Sequence, residues 1–189
     1  ATIYQEAREG ARYGLPELQM PPVDMQAINR RVAEVIGTIQ EHDSPERFQR
    51  LGAEVFFGSA RFTSPHELRL NEDETLSAPR IILATGSSPR AIPFPGLDET
   101  GYITNLDAFS LARLPSRLVT IGAGPIGIEL SQAFSRLGAQ VTVVDVASQV
   151  LPREDADMAD VVRGQVESEG INLRLGAKIE RLERDGATK

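Results

Sequence analysis

The hexapeptide Gly122-Ala123-Gly124-Pro125-Ile126-Gly127 constrains the fold of this chain more than any other feature. Glycines at this spacing let a strand turn at once into a helix. The flanks agree. Leu118-Val119-Thr120-Ile121 reads as a strand before the turn. Ile126, Leu130, Ala133 and Phe134 then give a helical stripe that stops at Gly138. Gln140 to Val144 reads as a second strand, with Asp145 at its end. Asp145 follows Gly122 at close to the ~20-residue spacing of a ribose-binding acid.

This βαβ pattern points to a dinucleotide site. Gly122 permits the tight bend, Gly124 lets a pyrophosphate approach bare backbone, and Gly127 lets the helix pack close to the sheet. The helix N-terminus that follows the glycine turn offers unpaired N–H groups and a positive dipole end to phosphates. Asp145 would accept hydrogen bonds from ribose hydroxyls. It favours NAD over NADP, because a carboxylate repels a 2′-phosphate. From Val146 to Pro152 there is no basic residue, and Arg153 is the first that could reverse that preference.

The rest of the chain reads as α/β. Thr2 to Leu15 has one apolar stripe of a short helix. Asp24 can cap a second helix whose face is Met25, Ile28, Val32, Val35, Ile36 and Ile39 and which ends at His42. Ser44-Pro45-Glu46 starts a short helix closed by Gly52. Glu54 to Phe57, Ala60 to Thr63 and Glu67 to Leu70 are strand-like, and Asn71 to Glu74 is a polar turn. Ile81-Ile82-Leu83-Ala84 suits a buried strand. Pro89, Pro93 and Pro95 mark an extended crossing, followed by a short helix near Asn105 to Leu111. Asp155 can cap a helix whose apolar face is Met158, Val161, Val162 and Val166 and which stops at Gly170, before a third strand from Ile171 to Leu175. The division falls near residue 100, with residues 101–189 as the dinucleotide-binding half.

Composition removes other chemistries. With no cysteine in 189 residues there is no disulfide framework, thiolate metal site or redox dithiol in this stretch. His42 and His66 are too few for a histidine-built metal centre, so no metal site is expected. Lys and Arg number 20 against 27 Asp and Glu, which argues against a nucleic-acid partner. No stretch is long and apolar enough for a membrane span.

A strand ending Ala84-Thr85-Gly86, a proline-rich crossing and a complete GxGxxG unit occur here in that order. The order resembles the pyridine nucleotide-disulfide oxidoreductase family. Gly122 to Leu130, Leu151-Pro152-Arg153-Glu154-Asp155, His42 to Phe48 and Leu51 to Val55 look most like its mercuric reductase-like and dihydrolipoamide dehydrogenase-like members. The resemblance covers nearly the whole chain. It implies that residues 1–100 are the later part of a FAD-binding domain and residues 101–189 most of an NAD(P)-binding domain. It implies that Thr85 and Gly86 contact flavin, and that Ala60 meets the flavin's adenine. It places Glu129, as the catalytic candidate, near nicotinamide and flavin, and Ile126 near the nicotinamide ring. Without the resemblance, Glu129 reads as an exposed helix carboxylate, Ile126 as core and Thr85-Gly86 as a strand end.

The family's first GxGxxG, its Cys-x4-Cys pair and its C-terminal dimerisation domain have no counterpart here. The expectation is therefore a fragment that binds NAD, with NADP possible, while FAD binds in the intact protein. The intact protein is expected to be a cytoplasmic homodimer that passes hydride through flavin to a dithiol or metal ion. A dithiol-free flavoprotein reductase and a non-catalytic nucleotide-binding module remain alternatives.

Overall fold

Apolar alternation and glycine punctuation build two compact units, Ala1–Val32 with Pro89–Lys189, and Ala33–Ser88. The computed structural model describes residues 1–71, 74–90 and 92–184.

The first unit is built on a parallel sheet. Its strands are β4 (Arg117–Ile121), β5 (Gln140–Val144) and β6 (Asn172–Arg174), adjacent in that order. Leu118 pairs with Val141 and Ile121 with Val144, and Val143 pairs with Leu173. The central strand β5 is the most deeply buried, with Val143 wholly enclosed at 0% exposure. Helix α5 (Pro125–Leu137) buries Ile128, Ser131 and Phe134, and α6 (Ala156–Ser168) buries Ala159 and Val166. Each fully buried aliphatic side chain contributes about 1.5–3 kcal/mol. The hydroxyl of Ser131, buried among these groups, donates to Thr120 Oγ1 at 2.8 Å and ties α5 to β4. Gly138 ends α5 in the left-handed conformation, as its sequence position implies.

Helix α1 (Thr2–Arg8) packs on α5 and gives way to a 3-10 turn over Gly10–Tyr13, so the expected helix to Leu15 is shorter. Arg136 links several of these elements. Its guanidinium donates to both Glu169 carboxylate oxygens at 2.7 Å and to Thr2 Oγ1 at 3.1 Å. Gln132 and Gln165 also donate to Glu169. Hydrogen bonding from Arg136 holds the Glu169 carboxyl below its ordinary range despite burial, and the same pairing raises Arg136.

Three local expectations fail in this unit. Met158 and Val161 of the expected apolar face of α6 are 60% and 68% exposed, because the helix turns Ala159 and Val166 toward the core instead. Residues 105–111 form turns instead of a helix. The Asp107 carboxylate accepts from Thr104 N at 2.7 Å and Thr104 Oγ1 at 2.8 Å, so local side-chain bonds replace helical ones. Asp155 stands at the N-cap of α6, yet its side chain makes no capping hydrogen bond. Asp24 does cap: its Oδ1 accepts from Gln26 N and Ala27 N at the start of α2 (Met25–His42).

The second unit contains the C-terminal part of α2, α3 (Pro45–Arg50) and an antiparallel meander. The meander is β1 (Ala60–Ser64), β2 (Glu67–Leu70) and β3 (Glu74–Ser77). Ser44 caps α3 by accepting from Arg47 N. The expected strand Glu54–Phe57 forms no ladder, whereas β3 begins at Glu74, the last residue of the expected polar turn, whose Glu72 and Asp73 fall outside the described residues. Ile81–Ala84 is extended but unpaired, with Ile82 90% exposed, so the expected buried strand is not formed. An apolar run becomes a buried strand only when neighbouring strands satisfy its backbone, and none among the described residues does so. The remaining α-helix is α4 (Leu97–Thr100), in the first unit.

Removing the Glu169 charge tests the Arg136 linkage. Glu169→Gln is expected to lower stability at pH 7 by about 2 kcal/mol, measured by denaturant unfolding. The folded-state pKa is depressed, so this contribution is present above the unfolded value of about 4.3 and is lost as pH falls through the folded value. The gap between wild type and variant should begin to narrow as pH falls below the unfolded value and close only once pH has passed the depressed folded value.

Candidate functional site

The glycine turn lies at the carboxyl edge of the parallel sheet, between β4 and α5. Gly122 bends there with φ of 111°, and its N–H donates to Val144 O at 2.9 Å. A Cβ at Gly127 would overlap the Gly122 carbonyl oxygen. A Cβ at Gly124 would meet nothing within 4 Å. One glycine is thus needed for packing, and the other leaves backbone open to solvent.

The turn is held from both sides through Ala123. Its N–H donates to Asp145 Oδ2 at 2.6 Å, and its carbonyl accepts from Leu151 N at 2.8 Å. Asp145 Oδ1 accepts from Ala147 N at 2.7 Å. The carboxylate therefore keeps a fixed orientation, with lone pairs remaining for a further donor. Leu151 occupies a left-handed backbone conformation with φ of 48°, beside the buried Val150. Helix α5 begins with Pro125, which has no N–H. Among the described residues, the N–H groups of Gly124, Ile126 and Gly127 have no backbone or side-chain acceptor. These are the orphan donors of a helix start, and they suit a phosphate.

A cavity of about 520 Å³ is lined by Val146, the residue that follows Asp145. Val146, Phe94, Pro95 and Ile179 supply its apolar lining, and Lys178 and Glu180 its charges. Its walls are joined by Ala177 N donating to Asp145 O, Gly176 N to Ala147 O and Leu182 N to Pro95 O. An open, partly apolar recess near a fixed carboxylate and bare backbone has the character of a surface that could take an adenosine moiety.

Gly122, Gly124, Pro125, Ile126, Gly127 and Asp145 are therefore brought together. Ile126 is 58% exposed, which removes the alternative of plain core packing. Glu129 is also exposed, three residues along α5 on the same helix face as Ile126. Ala60, Thr85 and Gly86 belong to the second unit. All three are exposed, and Gly86 has a φ of 68° with open space around it. Arg153 is exposed and does not line the cavity. Lys178 and Val146 carry no sequence signal of their own. Val146 is findable as the residue after Asp145, but Lys178 depends on how the chain returns after β6.

The family model for pyridine nucleotide-disulphide oxidoreductases matches residues 9–189. The chain belongs to that family. It is 31% identical over 167 residues to the mercuric reductase of Bacillus cereus, covering 88% of this chain and 26% of the relative. It is 33% identical over 138 residues to the dihydrolipoyl dehydrogenase of Bacillus subtilis (strain 168), covering 71% and 30%. Among solved structures it is similar to LpdA from Mycobacterium tuberculosis, with a TM-score of 0.75, 27% identity, and 98% of this chain and 42% of that one covered. It is also similar to the Cu(II) complex of the HOCl-induced flavoprotein disulfide reductase RclA from Escherichia coli, with a TM-score of 0.72, 25% identity, and 98% and 41% covered. The chain thus spans well under half the length of these proteins.

The two glycines separate packing from access. Gly127→Ala should cost at least about 2 kcal/mol, read as a lower unfolding midpoint, because backbone must move. Gly124→Ala should leave that midpoint within about 0.5 kcal/mol while placing a methyl where phosphate would lie. Equal stability losses in both variants would contradict the geometry described above.

Proposed function

We propose that this chain is the nicotinamide-nucleotide-binding part of a flavin-dependent oxidoreductase. The observation that carries the reading is the paired geometry of the glycine turn and Asp145. In this reading residues 101–189 belong to the NAD(P)-binding domain and residues 1–100 to the later part of the FAD-binding domain.

Each residue has a physical role. The N–H groups of Gly124, Ile126 and Gly127 hold the pyrophosphate, helped by the positive end of α5. Pro125 pre-sets the helix start without adding a side chain over the turn. Asp145, oriented by Ala123 and Ala147, accepts from the ribose hydroxyls and favours NAD. Ile126 presents an apolar surface for the nicotinamide ring. Glu129, one turn further on, supplies a carboxylate close to the reacting end and is the catalytic candidate. Ala60, Thr85 and Gly86 offer exposed backbone to FAD. When bound, the nucleotide supplies a hydride and the flavin accepts it, while the protein orients both. A dithiol or a metal ion takes the electrons in the intact protein.

The support is the family membership, the orphan donors and the adjoining cavity. Titration of the chain with NADH, followed by nicotinamide fluorescence, tests the reading. Wild type should bind saturably. Asp145→Asn should weaken NADH binding about tenfold, the equivalent of one charge-assisted hydrogen bond. Glu129→Gln should leave NADH affinity within about twofold, since the carboxylate lies beyond the phosphate and ribose contacts. Absence of NADH binding by a folded wild type would sink the proposal.

A further inference from the structure

The cavity beside Asp145 has a charge pattern that the glycine turn leaves unexplained. Lys178 and Glu180 are the charged groups in its lining, and both residues are exposed. The path of the chain sets Lys178 close to the ribose acid. Ala177 N donates to Asp145 O at 2.9 Å, so Lys178 departs from the residue directly bonded to Asp145's own peptide. The Asp145 carboxylate accepts two backbone hydrogen bonds, whereas the Lys178 ammonium has no hydrogen bond or ion pair among the described residues.

We propose that Lys178 determines nucleotide specificity, admitting a 2′-phosphorylated dinucleotide at a site whose ribose acid would otherwise reject it. This assignment rests on the nucleotide-binding reading above. The electrostatics are simple. A 2′-phosphate would stand near the Asp145 carboxylate and be repelled by it. An unpaired ammonium on the same cavity restores a favourable balance. Lysine suits this task, as a compact charge on a flexible stem that can follow the phosphate at an open rim. Glu180 lines the same cavity and opposes Lys178. Arg153, the cation nearest to Asp145 in the forward sequence, does not line the cavity, because Leu151 N is bonded to Ala123 O and the turn runs beside the glycine loop. The site therefore accepts both NADH and NADPH, with the second dependent on Lys178.

The test compares both nucleotides on the full chain by fluorescence titration at low ionic strength, with thermal melts confirming that each variant is folded. Lys178→Gln should weaken NADPH binding about tenfold and leave NADH within about twofold. Lys178→Arg should restore NADPH binding, and Glu180→Gln should tighten it several-fold while leaving NADH unchanged. Added salt should weaken NADPH binding more steeply than NADH binding. Equal weakening of both nucleotides in Lys178→Gln would mean that Lys178 only shapes the cavity, and would overturn the proposal. Unchanged NADPH affinity would overturn it as well. If wild type binds NADH but not NADPH, the Lys178 assignment alone falls. If folded wild type binds neither, the nucleotide reading falls and takes this assignment with it.

Discussion

Helix α5 lies so close to β4 that only hydrogen fits between Gly127 and the Gly122 carbonyl. That single close approach organises the rest of the site. It brings the helix N-terminus to the end of the strand, where the N–H groups of Gly124, Ile126 and Gly127 face outward. It also lets Ser131 reach Thr120, so that the helix is fixed by a hydrogen bond as well as by apolar packing. A side chain at position 127 would push α5 away from the sheet and dismantle both arrangements together.

Around this contact, charges serve two separate purposes. Arg136 and Glu169 form a mostly buried pair far along the helix, supported by Gln132 and Gln165. The pair joins α5 to the end of α6 and reaches Thr2 of α1. Asp145 acts at the opposite end of the sheet. Its two oxygens are held by Ala123 and Ala147, which stiffens the turn and directs the carboxylate toward the open edge. The first pair belongs to stability. The second arrangement holds a carboxylate in one orientation beside the glycine turn.

The βαβ unit was legible because local and long-range signals coincide there. The glycine spacing, the stripe through Leu130 and Phe134, and the alternation of Val141 and Val143 all require the same structure, and the family match over residues 9–189 agrees with it. Elsewhere the signals separate. Ile81 to Ala84 has the composition of a buried strand, but burial depends on partners that composition does not supply, and Ile82 stands in solvent. A short helix is expected near residues 105–111, yet Thr104 and Asp107 bond each other and hold turns. Asp155 has the residue type and position of a cap without the bond, because its side-chain rotamer is not set by sequence spacing.

The sequence by itself determined the family, the tight glycine turn between strand and helix and the carboxylate at the end of the next strand, since each depends on glycines and one acid at fixed spacing along a single strand–helix–strand unit. Tertiary structure alone decided that Ala123 is clamped between Asp145 and Leu151, that Ile126 is exposed, and that Lys178 shares a cavity with Val146. Those relations join residues that are distant in the chain. They follow from the parallel register of β4, β5 and β6 and from the return of the segment after β6 along the end of β5, which no local periodicity encodes.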